Sequence, residues 1–229
     1  MTTAMWGYSG GSIATEAASE LQLQYAPELQ ISGTALGGLF DDLTANMDRV
    51  NSSPIAASVV GGLIGTTTQY PEAAAYLRSR LRPDVIDEFY RARDINVNDS
   101  LRLYAMKDIY SYFVGGAADL QAPVLQKVFN LEGHLGRHGI PTMPMFLYKA
   151  IGDQFCPISQ TDALVERFCA AGADITYERN TVGGHVSEIE NGNGRAIAWL
   201  RTIFDESYVP SPPGGMIRDV KVDISPLTT

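Results

Sequence analysis

The sequence is poor in basic residues. Its 229 residues contain 17 Lys and Arg against 26 Asp and Glu, which gives a formal net charge of −9 at pH 7. Proteins that bind the phosphates of nucleic acids normally carry a basic patch. The densest basic spacing here, Arg78, Arg80 and Arg82, is typical of a solvated helix face. The sequence therefore predicts no nucleic-acid partner.

Long apolar runs and cysteines are also scarce. The longest apolar candidate, 54–65, is interrupted by glycine and falls short of the roughly 18 residues that a membrane-spanning helix needs. The first residues, MTTAMWGYSGG, lack the charged start, apolar middle and cleavage site of a secretory signal. Cys156 and Cys169 do not amount to a disulfide framework and leave the redox compartment open. We therefore predict no transmembrane segment.

The composition that is present is that of a globular protein, with 45 % hydrophobic and 19 % charged residues. At roughly 150 residues per domain, the length favours one domain, or one domain with a large insertion. Short β-prone runs alternate with longer helical runs, which predicts strands at 2–6, 29–36, 143–150 and 173–178 and helices at 12–25, 159–171 and 194–204. This alternation is typical of the α/β class, in which helices pack on the faces of a parallel sheet.

Residues 41–142 have a different pattern. They predict helices at 71–81, 83–92 and 99–112 and contain no strand signal. A simple crossover between parallel strands needs only about a dozen residues, so this segment is predicted to be an inserted helical cap. The predicted organisation is a first βα unit at 1–40, the cap at 41–142, a C-terminal α/β part at 143–209 and a tail at 210–229 that is irregular or an edge piece.

The strongest chemical signal is the pentapeptide Gly7-Tyr8-Ser9-Gly10-Gly11, which lies between a predicted strand and a predicted helix. A nucleophilic serine must project from a sharp strand-to-helix turn, and flanking glycines remove Cβ atoms that would clash there. The N-terminus of the following helix and the Gly10 N–H would stabilise an oxyanion. Ser9 is therefore the predicted nucleophile and Gly10 the predicted oxyanion donor.

A serine nucleophile needs a base and an acid, which follow it along this kind of sheet in the order acid, then histidine. His185 lies in a loop between the last predicted strand and the last helix and is the best candidate base. Asp153 directly follows a β-rich run, at the strand edge that carries the sites of such sheets. Asp41 and Asp42 also follow a strand and are the rival acids, although they lead into the cap.

The other two histidines, His134 and His138, are four residues apart. Such a pair can bind a metal ion, but no third ligand of suitable type lies near them in the sequence. We therefore expect them to be surface residues and predict no metal site.

Four strings together carry a resemblance to a known family: WGYSGG at 6–11, YAPEL at 25–29, FLY at 146–148 ahead of Gly152-Asp153, and Gly184-His185 ahead of Glu188. In these strings and in their order the chain resembles the fungal secretory lipases. The resemblance implies an α/β-hydrolase fold, with Ser9 as nucleophile and Asp153 and His185 as its partners. It also implies secretion, no cofactor, and hydrolysis of acylglycerols or other carboxylic esters, with a lipid–water interface as a possible place of action.

The chain also departs from that family, whose members build further strands before the nucleophile strand. We therefore expect the N-terminal half of the family's fold to be absent here, together with the signal peptide and the loop that supplies a second oxyanion donor. Loss of one such donor costs about 100- to 1,000-fold in turnover. The nucleophile strand is then expected at an exposed sheet edge, which is an aggregation hazard.

Within the cap, the small-residue stretch 56–66 and the aromatic run 104–113 are open to two interpretations. They line an acyl pocket, as the resemblance to lipases suggests, or they pack helices tightly on one another.

The sequence leads to two classes of function. The first is a serine carboxylic ester hydrolase of the triacylglycerol lipase type that acts through an acyl-enzyme, with an esterase or acyltransferase tailoring a secondary metabolite as a variant. The second is a non-catalytic or truncated hydrolase remnant. The expected partner is a small-molecule or lipid ester.

Overall fold

Residues 2–224 are described by a computed structural model of the chain. In chain order its strands and helices are β1 (Ala4–Tyr8), α1 (Gly10–Tyr25), β2 (Gly33–Gly37), α2 (Leu43–Val50), α3 (Ala57–Thr67), α4 (Pro71–Arg80), α5 (Ile86–Tyr90), α6 (Val97–Tyr104), α7 (Pro123–Glu132), β3 (Met145–Ala150), α8 (Ile158–Ala170), β4 (Ile175–Asn180), α9 (Ser187–Phe204) and β5 (Met216–Val220). The described chain divides into two compact units, residues 2–41 with 135–224, and residues 42–134.

The first unit is built on a sheet of five parallel strands in the order β1-β2-β3-β4-β5. Strands β2 and β3 are buried along their whole length, as expected for a parallel sheet covered on both faces. Two consecutive residues of β2 show both covered faces, because Leu36 packs in a cluster with α1 and α8 whereas Ala35 packs with α9. The predicted α/β class with flanking helices is confirmed.

Some predicted boundaries are wrong. Helix α9 begins at Ser187 and not at residue 194, so it contains both Gly192 and Gly194. Glycine disfavours a helix interior, which is why the pattern predicts a later start. At position 192 the fold requires glycine, because a Cβ there would lie 2.0 Å from Cδ2 of Tyr148 on β3. A contact distant in sequence therefore overrides the local preference.

The tail contains an edge strand. Strand β5 pairs in parallel with β4, and Arg179 Nε donates to Asp219 Oδ1 across the pair at 2.8 Å. The sequence allows two alternatives for 210–229, an irregular segment or an edge piece. Residues Met216–Val220 form an edge strand, so for them the first alternative is wrong and the second is correct. The last part of that prediction, 225–229, and residue 1 of the first βα unit lie outside the described residues.

The second unit, residues 42–134, contains helices α2 to α7 and short 3-10 helices at Arg91–Arg93, Ile109–Tyr112 and Gly116–Gln121. The predicted single helix at 99–112 is wrong, because α6 ends at Tyr104. Met106 adopts a left-handed backbone with φ 62°, and its N–H donates to the Ser53 carbonyl at 2.8 Å. That tertiary hydrogen bond turns the chain out of the helix.

Helix α3 carries the small-residue stretch of this unit. It packs against α2, α4, α6 and α7, and its Val59, Val60 and Leu63 are completely buried. Its glycines at 61 and 65 leave open space beside the helix. The burial of its apolar residues among helices of the same unit agrees with the packing interpretation of residues 56–66.

Helix α1 buries one acidic side chain, Glu16, in the interior of the first unit. Glu16 is 0 % exposed, and neither carboxyl oxygen has a hydrogen-bond partner within the described chain. Burial, followed by the neighbouring Glu20, raises the pKa of Glu16 from 4.5 to about 10. The folded state therefore holds a proton that the unfolded state releases above pH 4.5.

From this pKa we expect the free energy of unfolding to fall as pH rises from about 4.5 to about 10. At pH 7 the penalty is about 3 kcal/mol. Glu16→Gln cannot ionise, so it should raise the free energy of unfolding at pH 7 and flatten its pH dependence. Urea unfolding at several pH values measures this, with the exposed Glu28→Gln as the control. Equal slopes in wild type and Glu16→Gln would contradict the assignment.

Candidate active site

Ser9 is the single residue between β1 and α1. Its backbone is left-handed, with φ 53° and ψ −120°, a conformation that costs a non-glycine residue of order 1–3 kcal/mol. The turn is held on both sides, since the Ser9 N–H donates to the Gly37 carbonyl at 2.8 Å and the Ser12 N–H donates to the Ser9 carbonyl at 2.9 Å. This is the geometry of a strained nucleophile elbow.

Gly7 and Gly11, two residues before and two residues after Ser9, differ in the space around them. A Cβ on Gly7 would lie 2.1 Å from the Gly11 carbonyl oxygen, so only glycine fits where the strand meets the helix. A Cβ on Gly11 would meet no atom within 4 Å. The expectation that both positions relieve a clash is therefore wrong for Gly11, because a Cβ at that position would point into open space.

His185 and Asp153 both reach Ser9 through one line of hydrogen bonds. His185 Nε2 lies 2.9 Å from Ser9 Oγ, and His185 Nδ1 lies 2.7 Å from Asp153 Oδ2. Asp153 is 5 % exposed and His185 6 %, so the pair is shielded from water, while Ser9 is half-buried. The structure thus brings together the three residues predicted from the sequence, with the spacing that proton transfer from a serine requires.

Asp153 is held in a tight loop that begins where β3 ends. Its second carboxylate oxygen, Oδ1, accepts the N–H groups of Phe155 at 3.0 Å and Cys156 at 2.8 Å. The carboxylate therefore has partners on both oxygens, which fixes its direction toward the imidazole.

The loop that carries His185 packs closely on the loop of Asp153. A Cβ on Gly152 would lie 2.7 Å from the Gly183 carbonyl oxygen, and one on Gly184 would lie 2.6 Å from Gln154 Oε1. The same Gln154 oxygen accepts the N–H of His185 at 3.2 Å. Glycine at these positions lets the two loops approach each other closely, which places Asp153 beside His185.

The first turn of α1 begins at Gly10, directly after Ser9. The first N–H groups of a helix lack intrahelical partners and carry the positive end of its dipole. The Gly10 N–H is therefore available beside the serine, where the sequence predicts an oxyanion donor.

The rival acids have other roles. Asp41 pairs with Arg167 at 3.4 Å, and the side chain of Asp42 caps α2 by accepting the Ala45 N–H at 3.0 Å. These contacts account for both carboxylates, and the acid that touches His185 is Asp153.

The other two histidines, His134 and His138, each lie near a different carboxylate. His134 Nδ1 lies 4.0 Å from Asp42, and His138 Nδ1 lies 3.8 Å from the buried Glu20. The two histidines belong to different units of the chain. Each histidine thus has a carboxylate neighbour of its own.

One cluster of metal-ligand types lies within the described residues, where ligand atoms of Asp153, Cys156 and His185 fall within 4.8 Å of one another. Asp153 and His185 are already bonded to each other, and His185 also contacts Ser9. The hydrogen bond between Asp153 and His185 accounts for this cluster, and we assign no metal to it.

Two buried charged residues near these loops have no role assigned to them in the sequence analysis. Lys149 on β3 is 0 % exposed, and its ammonium donates to the Leu39 carbonyl and to Thr161 Oγ1. Glu188 on α9 accepts from Asn180 Nδ2 at 2.7 Å and pairs with Arg195. Burial lowers the pKa of Lys149 and raises that of Glu188. The signal was a lone charge inside an apolar strand in the first case and a glutamate three residues after the histidine in the second.

Comparison with known proteins gives one consistent result. A sequence model of the family described as secretory lipase matches residues 1–210. The chain is 54 % identical over 98 % of its length to a probable trichothecene esterase of Stachybotrys chartarum, and 43 % identical over 95 % to a trichothecene C-3 esterase of Fusarium sporotrichioides. It is 36 % identical over 88 % of its length to lipase A of Arthroderma benhamiae. It spans about half the length of these relatives, namely 46 %, 50 % and 43 %.

Two solved structures of Candida antarctica lipase A match with TM-scores of 0.84 and 0.85, at 23 % and 22 % identity. The matches cover 93 % and 99 % of this chain and 51 % and 53 % of those chains. They show that the chain has the α/β-hydrolase fold of that enzyme. Among the described helices none is long and apolar enough to cross a membrane. Because the family model matches residues 1–210, the chain belongs to the secretory lipase family.

Proposed function

We propose that the chain carries the catalytic residues of a serine carboxylic ester hydrolase, with Ser9 as nucleophile, His185 as general base and acid, and Asp153 as the residue that orients His185. The observation that carries this proposal is the line of hydrogen bonds from Ser9 Oγ to His185 at 2.9 Å and from His185 to Asp153 at 2.7 Å, on a strained elbow. The membership in a lipase family supports the reaction class.

In the first half of the reaction, Ser9 Oγ attacks the ester carbonyl carbon while its proton passes to His185 Nε2. Asp153 accepts the Nδ1 proton in a hydrogen bond, which keeps Nε2 free to accept and stabilises the imidazolium. The carbonyl oxygen becomes an oxyanion and receives a hydrogen bond from the Gly10 N–H. The tetrahedral intermediate then expels the alcohol, which takes the proton from His185, and leaves an acyl group on Ser9.

In the second half, a water molecule attacks the acyl carbon and gives a proton to His185 Nε2. Collapse of the second tetrahedral intermediate releases the carboxylic acid and returns the proton to Ser9. The cycle restores all three side chains to their starting states, and no step of it uses a cofactor.

For the substrate we propose an ester of a trichothecene. The two relatives with trichothecene esterase in their names are 54 % and 43 % identical to the chain, against 36 % for lipase A of Arthroderma benhamiae. This order supports the variant in which a lipase fold tailors one secondary metabolite. Emulsified triacylglycerol is the second candidate, because lipases share the family.

We also propose that the protein acts outside the cell. The description of the matched family as secretory lipase supports this location.

A fluorophosphonate that traps activated serines tests the reaction class. We expect one covalent adduct on the tryptic peptide that contains Ser9, found by mass spectrometry, and no adduct in urea-denatured protein, where Ser9 has no base beside it. The same preparation is assayed on a trichothecene C-3 ester, on p-nitrophenyl esters and on emulsified tributyrin. We expect a higher kcat/KM on the trichothecene ester than on tributyrin.

The two parts of this proposal fail separately. Folded protein that neither reacts with the phosphonate nor hydrolyses any ester would overturn the reaction class and favour a non-catalytic remnant. Protein that labels on Ser9 but prefers emulsified tributyrin would overturn only the substrate.

A further inference from the structure

The residue before the nucleophile reaches the loop of the base. Tyr8 is the last residue of β1, and its hydroxyl donates a hydrogen bond to the main-chain carbonyl of His185, 177 positions away in the sequence. Its ring also lies against the imidazole, with centroids 5.4 Å apart. A single residue therefore joins the main chain of the nucleophile to the main chain of the base.

Two consecutive glycines make room for this contact. A Cβ on Gly37 would lie 2.4 Å from Tyr8 Cδ2. A Cβ on Gly38 would lie 2.9 Å from Tyr8 Cζ and 3.1 Å from His185 Cε1, and Gly38 has a left-handed φ of 60°. The end of β2 is thus shaped to admit the Tyr8 ring beside His185.

The hydroxyl is a permanent donor. Burial, followed by the negative charges of Asp153 and Glu188, raises the pKa of Tyr8 far above its ordinary value. The phenol therefore stays protonated at every pH at which an ester hydrolase is assayed.

Two hydrogen bonds hold the main chain of His185 in its loop. His185 lies between Gly184 and the start of α9, after Gly183 with its φ of 82°. Its N–H is held by Gln154 from the side of the acid loop at 3.2 Å. Tyr8 holds the carbonyl of the same residue from the side of the nucleophile.

We propose that Tyr8 is a positioning residue that, by its hydroxyl bond to the His185 carbonyl, keeps the imidazole aligned between Ser9 and Asp153 through both proton transfers. This inference rests on the proposed ester hydrolysis. Misplacement of a catalytic group by about 1 Å costs on the order of 100-fold in rate.

Tyr8→Phe removes the hydroxyl and keeps the ring. We expect kcat to fall about 10- to 100-fold with KM little changed, because alignment and not substrate binding is lost. We expect phosphonate labelling of Ser9 to slow by a similar factor. Tyr148→Phe is the matched control, since its ring lies 5.9 Å from that of Tyr8 but its hydroxyl bonds to Trp6 and Asn193 instead of the His185 loop.

Proton NMR adds a readout that does not depend on turnover. The proton shared by His185 Nδ1 and Asp153 should give a low-field signal, assigned by its absence in His185→Ala. We expect this signal to broaden or disappear in Tyr8→Phe and to remain in Tyr148→Phe.

The outcomes are distinct. Wild-type kcat and an unchanged low-field signal in Tyr8→Phe would overturn the inference, as would equal losses in both variants, which would indicate general packing of the aromatic cluster. If wild-type protein shows no turnover and no labelling, the proposed function fails. The NMR comparison still decides whether Tyr8 holds His185.

Discussion

Replacing Ser9 by alanine is expected to lower kcat for ester hydrolysis by about 10⁶-fold, the size of effect known for loss of the nucleophile in a serine hydrolase. The reason is that the substitution removes the hydroxyl that lies 2.9 Å from His185 Nε2 and that would accept the acyl group. Initial rates on p-nitrophenyl esters measure the loss, and the fluorophosphonate adduct should vanish with it.

Ser9→Gly is a second variant that separates chemistry from folding. It also lacks the hydroxyl, but glycine adopts the left-handed φ of 53° without strain, so it should be more stable than Ser9→Ala. Both variants should be equally inactive. If Ser9→Ala, folded as judged by circular dichroism, kept more than about a tenth of the wild-type rate, Ser9 would not be the nucleophile.

Asp153→Asn is expected to lower kcat by about 10⁴-fold. The amide would donate to His185 Nδ1, so the imidazole would carry its proton on Nε2 and could not accept the proton of Ser9. Asn retains a carbonyl oxygen that can accept the N–H groups of Phe155 and Cys156, so the loop should keep its shape. Steady-state kinetics with a soluble ester measure the effect.

The rival acid supplies the control for this prediction. Asp41→Asn removes the charge that pairs with Arg167 at 3.4 Å on the surface of the same unit, and should leave kcat near the wild-type value. The opposite result, with activity lost in Asp41→Asn and kept in Asp153→Asn, would move the acid to the end of β2.

A large part of the fold was predictable because it depends on local pattern. The alternation of β-prone and helical runs indicated four of the five described strands and the three helices that cover them. The unbroken helical pattern at 41–142 predicts an inserted cap, and residues 42–134 form a helical unit of their own. That this unit serves as a cap stays a prediction. Boundaries were less predictable. The start of α9 depends on Gly192, whose reason lies in the ring of Tyr148 on another element.

The helix predicted at 99–112 illustrates the same limit. Its residues have adequate helical propensity, and the chain nevertheless leaves the helix after Tyr104 because Met106 bonds to Ser53. A hydrogen bond between positions 53 residues apart has no trace in the periodicity of either segment.

The scarcity of basic residues predicts no nucleic-acid partner, and the turn around Ser9 is readable from the local sequence. Gly7, Ser9 and Gly11 lie within five residues, and the contact that requires glycine at position 7 is with the carbonyl of Gly11, so this turn is specified locally. The order of Asp153 and His185 after Ser9 then identified the candidate acid and base without any coordinates.

How those residues are held depends on contacts between distant parts of the chain. The bond from Tyr8 to the His185 carbonyl joins positions 177 apart, and the glycines at 37 and 38 leave room for rings of residues that lie far from one another in the sequence. Lys149 and Glu188 likewise find their partners on other elements. Sequence pattern reports what neighbours in the chain require of one another. The packing that aligns a catalytic group is set by residues that become neighbours only after folding.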